Sequence, residues 1–279
     1  MKNKKTAFNS LRYIGLVLIL IFLLFPIYWM VVTALKSNME AYLFPPTFIP
    51  KNPTVASFYS LLTVNNQFFV YYKNNFIVSG FSALISTFIA LISGYALSRF
   101  HFKWNRWIMA ALLSSQMFPV VSRMISLYGL LGKVHLINTR TGLILAVVAA
   151  QIPFCVMLMA GFYDGVPHEL EEAAEIDGSK RFQTLFRVIC PLVKPGIVAV
   201  GIYSFLMTWD DYLHAATLIQ TDSLRTLSVG IALRYLGELS YDWSLVNAIS
   251  VIGALPMILL FIFFQRYMVK GLVAGAVKG

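Results

Sequence analysis

Residues 13 to 35 carry no charged side chain and are bracketed by Arg12 and Lys36. At a rise of about 1.5 Å per residue this stretch makes a helix roughly 34 Å long, enough for the ~30 Å hydrocarbon core of a bilayer. Uncharged windows recur at 74–98, 107–122, 141–163, 195–209 and 243–265. The windows 107–122 and 195–209 are short, but they run on past Arg123 and past Asp210-Asp211 into apolar residues 124–131 and 212–219. The reading is an all-α integral membrane protein with six transmembrane helices. Composition agrees, because 12% charged residues is half the ~25% that coats a soluble domain.

Six crossings put both termini on one side, and the lysines and arginines decide which. With the N-terminus inside, the inner segments hold 14 of them and the outer segments 8. The positive-inside rule therefore predicts cytoplasmic termini. The net charge of +10 is read as topology rather than nucleic-acid binding. Lys2, Lys4, Lys5 and Arg12 form a basic start, but the apolar run that follows is too long for a cleavable signal and has no A-x-A site. Three loops stand out. Residues 36–73, with Pro45, Pro46, Pro50 and Pro53, make a large outer segment of extended or turn structure; 221–245, with Tyr235, Tyr241 and Trp243, make another; 164–195 form the largest inner loop.

That inner loop reads as two helices. Pro167 opens the first, Glu169, Glu171, Glu172 and Glu175 crowd its positive end, and Gly178 supplies a left-handed stop. In the second, Phe182, Leu185, Phe186 and Ile189 fall at i, i+3, i+4, i+7 before Pro191 ends it. An acidic helix and an apolar-striped helix standing out of the membrane are suited to docking.

Glu172-Ala173-Ala174, three residues, Gly178, nine residues, then Val188-Ile189-Cys190-Pro191 resembles the E-A-A-x3-G-x9-I-x-L-P loop of permease subunits of binding-protein-dependent ABC importers. Val188 stands for the usual Ile and Cys190 for the usual Leu; both stay apolar. Gly94 to Phe100 is similar to that family's exit from its second helix, and Trp209-Asp210-Asp211-Tyr212 resembles its W-N-[DE]-[FY] element. The tail, Gln265-Arg266-Tyr267, Lys270-Gly271-Leu272 and Gly275 to Gly279, is similar to the maltose/oligosaccharide branch. The resemblance covers all six spans and implies the type I importer transmembrane fold, in the shorter, six-span member of a permease pair.

Several expectations follow from that resemblance. The partners would be a second permease as heterodimer, two cytoplasmic ATP-binding subunits, an extracytoplasmic solute-binding protein and membrane lipid, with no nucleic acid. The chain would sit as a multi-pass protein in a bacterial cytoplasmic (inner) membrane. Glu171, Glu172, Ala173, Ala174, Asp177, Gly178 and Pro191 would form the ATPase-coupling loop: small alanines enter a groove, Gly178 makes the turn, and carboxylates meet basic groups on the partner. The cargo would be an oligosaccharide or related carbohydrate. An importer of another solute, or an ion-gradient-driven transporter using Asp210 and Asp211, remains the alternative reading. The chain would divide into 1–72 (N-terminus, first helix and large outer loop), 73–266 (importer core with coupling loop 164–195) and 267–279 (cytoplasmic tail).

Other chemistry finds no pattern. No G-x-x-x-x-G-K-[ST] is present, so the chain is expected to bind no cofactor and to leave ATP to other subunits. His101, His135, His168 and His214 are scattered, and Cys155 and Cys190 read as small buried hydrophobes. No catalytic or metal-binding residue is assigned, and the chain is not expected to be an enzyme. The polar residues to explain lie inside the spans. Counted along straight helices, Arg123 and Asp210 reach a similar depth in the outer third of the bilayer. Arg123, Trp209, Asp210, Asp211 and Tyr212 are the candidate substrate path, with Arg123 either pairing with one of the aspartates or, like Asp211, snorkelling to the outer interface.

Overall fold

The structure is a computed structural model and describes residues 2–63, 66–100, 103–236 and 241–276, with the side chains of 12–265 within those ranges. Among the described residues the secondary structure is helical, without strands. Four helices are long and apolar enough to cross a membrane, over Arg12–Ala34, Asn66–Arg99, Arg140–Asp164 and Trp243–Gln265. We name α1 (Lys2–Ala34), α2 (Asn66–Arg99), α3 (Asn105–Gln116), α4 (Val120–Lys133), α5 (Arg140–Asp164), α6 (Glu169–Ile176), α7 (Arg181–Leu192), α8 (Lys194–Trp209), α9 (Leu213–Leu218) and α10 (Trp243–Ala276).

The third and fifth expected spans are not straight. α3 ends at Gln116, and α4 departs from it at 103°. Pro119 is the cause: it has no N–H to continue the ladder, and it disfavours helical geometry at Phe118. The apolar run through 131 is therefore two helices, not one. α8 stops at Trp209, and the chain breaks over Asp210–Tyr212 before α9. At 16 residues α8 is about 24 Å long. α7 meets α8 at 80°, and its Arg181 and Arg187 mark it as part of the inner loop rather than of a span.

The described residues divide into two units, Met1–Phe69 with Ile231–Leu255, and Val70–Gly230 with Pro256–Gly279. In the first unit, the proline-rich outer segment is built around charged groups. Lys36 is buried, donates to the Thr47 carbonyl at 2.5 Å, and lies 4.6 Å from the Trp29 ring centroid. Glu40 accepts from the Lys51 N–H (2.8 Å) and Thr47 Oγ1 (2.9 Å), and the Lys51 N–H holds its carboxyl below the usual range. Two short helices, Asn38–Ala41 and Ala56–Thr63, interrupt the extended stretches, and α2 starts at Asn66, earlier than its uncharged window. In the outer loop, Gly237 to Ser240 lie outside the described residues, as do the side chains of Lys2, Lys4, Lys5, Arg266 and Lys270 and the tail residues 277–279.

The second unit holds two packed cores. At one end Ala90, Leu91 and Tyr95 of α2 meet Cys155, Val156, Met159 and Tyr163 of α5, Leu185 and Ile189 of α7 and Val200 of α8. At the other, Met124 and Leu131 of α4 pack with Leu143 and Val147 of α5 and with Ala215 and Leu218 of α9. Gly94 suits the first core: a Cβ there would stand 3.0 Å from the Ala160 nitrogen and from Met159 Cβ, so any larger residue would push α2 and α5 apart by a few tenths of an ångström.

Candidate functional site

The loop between α5 and α8 is a hairpin of α6 and α7. α6 closes in a Schellman motif: the Gly178 N–H donates to the Glu175 carbonyl (3.0 Å) and the Ser179 N–H to the Ala174 carbonyl (2.9 Å). Gly178 sits at φ +81 with open space around its α-carbon. The requirement for glycine here is backbone conformation, not room.

The expected apolar stripe on α7 divides in two. Leu185 and Ile189 are buried in the inner core, while Phe182 and Phe186 are exposed. A π-helical turn over Leu185–Ile189 widens the helix at this point. Ile176, at 86% exposure, and Phe182, at 69%, give the hairpin an apolar outer surface. Glu172, Glu175 and Asp177 are also exposed, and Ala174 is buried.

Glu171 is committed inward, against the expectation that the carboxylates of this loop face a partner. Its Oε1 accepts from Arg99 Nε at 2.5 Å, and its Oε2 accepts from Tyr95 Oη at 2.9 Å. Arg99 also donates from Nη2 to the Val166 carbonyl (2.8 Å), and Ser98 Oγ donates to Asp164 (2.6 Å). The Arg99 and Glu171 side chains are 4% and 15% exposed. Arg181 at the start of α7 lies 5.1 Å from the Phe100 ring. The last turn of α2 is thereby bolted to the loop. Sequence reading marked Gly94 to Phe100 as a helix exit but missed Tyr95, Ser98 and Arg99 as the loop's anchors.

At the other end of the unit the candidate path residues separate. Trp209 is 4% exposed and forms an aromatic cluster, edge-on to Phe76 (4.8 Å) and Tyr72 (5.6 Å) and stacked on Phe205 (5.5 Å). Asp210 and Tyr212 are exposed. Asp211 bonds His214 Nδ1 at 2.7 Å and accepts the Ala215 N–H at 3.2 Å, so it fixes the start of α9. Among the described residues no ion pair joins Arg123 to Asp210 or Asp211. The reason is the break at Pro119, which removes the straight-helix geometry on which a common depth depended. Arg123 instead lines a cavity of about 480 Å3 with Ser115, Phe118, Ser122, Ser126 and His214, and its buried Nε has no hydrogen-bond partner among the described residues. A charged residue in mid-membrane costs about 2.5–3.5 kcal/mol to insert.

Residues 86–272 match the model of the family described as binding-protein-dependent transport system inner membrane component. The chain belongs to this family. It is 34% identical over 271 residues to the sulfoquinovosyl glycerol transport system permease protein SmoH of Agrobacterium fabrum, covering 97% of this chain and 94% of the relative. It is 31% identical to the trehalose/maltose transport system permease protein MalG of Thermococcus litoralis, with 96% of each chain covered. The fold is that of a chain in the crystal structure of a bacterial ABC transporter involved in import of the acidic polysaccharide alginate, with a TM-score of 0.83, 20% identity and 95% and 97% of the two chains covered. The chain is thus a multi-pass inner-membrane permease of an ABC importer with the type I fold. This family is one of transporter components, not catalysts, and its systems work with a binding protein.

Proposed function

We propose that this chain is one of two unlike permeases in an ATP-driven carbohydrate importer, joined inside by two ATP-binding subunits and outside by a solute-binding protein. The cargo class is supported by the full-length relatives, which are named as permeases of trehalose/maltose and sulfoquinovosyl glycerol transport systems. Residues 1–72 supply the first helix and outer segment, 73–266 the importer core and 267–279 the tail; nucleotide is bound by the partner subunits and no cofactor by this chain.

The observation that carries the coupling role is the two-sided hairpin. Its outer surface offers Ile176, Phe182 and Phe186, while its inner surface is fixed by Leu185, Ile189 and the Arg99–Glu171 pair. Ala173 and the exposed acids Glu172 and Asp177 enter a groove of the ATPase, Gly178 sets the turn, and Pro191 starts the return to the membrane. Closure of the ATPase dimer moves the hairpin, and the bundle converts that into alternating access at a path lined from Arg123 and the Asp210–Tyr212 break. Coupling requires that the hairpin fit the two ATPase states unequally.

The test is reconstitution of the four-part importer in proteoliposomes. Uptake of a maltooligosaccharide or related panel should require ATP inside and binding protein outside, and should survive an uncoupler. Uptake that collapses with the uncoupler and persists without ATP refutes the reading.

A further inference from the structure

Among the described residues Arg123 has no ion-pair partner. Asp211, expected as its partner, spends Oδ1 on His214 and Oδ2 on the Ala215 N–H. Among the twelve residues that line the cavity, Arg123 is the one lysine or arginine and there is no carboxylate, and its Nε lacks an acceptor among the described residues. A guanidinium is a planar fork suited to two oxygens of one anion. The remaining polar wall consists of the hydroxyls of Ser115, Ser122 and Ser126 and the imidazole of His214, which match sugar hydroxyls. A volume of about 480 Å3 falls within the ~300–1,000 Å3 of small-molecule sites, more than one inserted carboxylate side chain fills.

We propose that this cavity recognises the oxyanion of an acidic carbohydrate through Arg123, so that the importer favours cargo bearing a carboxylate or similar group over its neutral counterpart. The inference rests on the permease reading above and narrows its cargo. A neutral sugar offers Arg123 hydroxyl acceptors but no opposite charge, so desolvating the guanidinium against it is less well compensated. An acidic one supplies the missing charge, and a cavity with a single positive group also concentrates anions at its mouth.

The experiment uses the assembled importer in membranes, with Cys155→Ala and Cys190→Ala, and Ser126→Cys as a reporter on the cavity wall. Labelling rates are compared for an anionic methanethiosulfonate, the sulfonatoethyl reagent, and a cationic one of similar size, the trimethylammonioethyl reagent, with Arg123 present and with Arg123→Gln. Arg123→Gln should lower the anionic-to-cationic rate ratio by about tenfold or more. Digalacturonate should slow labelling when Arg123 is present and fail to do so in Arg123→Gln, while neutral digalactose should protect neither. The proposal is overturned by an unchanged ratio, by equal protection from the two disaccharides, by no protection from digalacturonate, or by a Ser126→Cys that neither reagent reaches. It is also overturned if Arg123→Gln releases the second permease on purification, which would make a carboxylate of that subunit the counter-ion. In each of these cases ATP-dependent uptake of neutral sugar by the unsubstituted importer still stands as a separate test of the permease reading.

Discussion

Replacing Arg99 with alanine should detach the inner hairpin from α2 while leaving the membrane bundle assembled. Arg99 loses a 2.5 Å bond to Glu171 and a 2.8 Å bond to the Val166 carbonyl, and Glu171 keeps only Tyr95. Removing one member of a buried ion pair costs about 3–5 kcal/mol, and the 15% exposure of Glu171 argues for the lower end. At about 1.4 kcal/mol per tenfold, 3 kcal/mol is roughly a hundredfold change in the opening equilibrium. Hydrogen exchange across 166–192 of the assembled importer should accelerate by about that factor, with α1 unaffected. The double variant Arg99→Ala/Glu171→Ala should be less damaged than the two single changes combined, by about 2 kcal/mol of coupling, because no charge is stranded. Arg99→Lys should fall between, since one ammonium cannot serve both acceptors in the same geometry. Acceleration below about threefold, or strict additivity in the double variant, would show that the pair does not hold the loop.

Gly178→Ala meets open space but a φ of +81, so it should cost about 1–2 kcal/mol of backbone strain; an unchanged melting temperature of the purified importer would contradict this. Gly94→Ala presses on the Ala160 backbone and Met159 and should cost about 1–3 kcal/mol by overpacking, seen as a lowered melting temperature of the purified importer. Phe182→Ala removes an exposed ring, so it should leave that melting temperature unchanged while weakening ATPase co-purification. Glu40, whose carboxyl is held below the usual range chiefly by the Lys51 N–H, should stabilise the outer segment throughout pH 6–8 and lose that effect only as pH falls from the ordinary carboxylate range through its lowered value. Trypsin cleavage after Lys51, taken relative to cleavage of an unfolded reporter peptide at each pH, should therefore be flat from pH 8 to 6 and faster in Glu40→Gln at pH 7.

What the sequence made legible was whatever one residue type enforces locally. Gly178 is required by a positive φ, the acids sit at a helix start, and uncharged windows are long enough to cross lipid. Contacts between distant residues were not legible. Arg99 and Glu171 are far apart in sequence, and no spacing rule connects them. Helical periodicity placed Phe182, Leu185, Phe186 and Ile189 together, yet they form two adjacent rows, and docking from one side buries only Leu185 and Ile189. Pro119 was visible in the sequence, but apolar residues on both sides of it allowed a straight span to be drawn through a 103° corner. Trp209, a candidate for the sugar path, sits at the centre of an aromatic core because Phe76, Tyr72 and Phe205 converge on it.

The two breaks, at Phe118-Pro119 and at Asp210–Tyr212, take on a mechanical meaning beside the bolted hairpin. A lever transmits a push only if its handle does not bend, and Arg99, Glu171, Leu185 and Ile189 deny the handle that freedom. Displacement entering at Phe182 and Ile176 would then be spent where continuous backbone hydrogen bonding is already interrupted. Both interruptions border α4 and α9, which share the second core with α5. In engineering terms the inner end is the stiff input and the outer end the compliant joint, so a stroke of the ATPase would swing α4 and α9 while the helices between them travel as rigid rods.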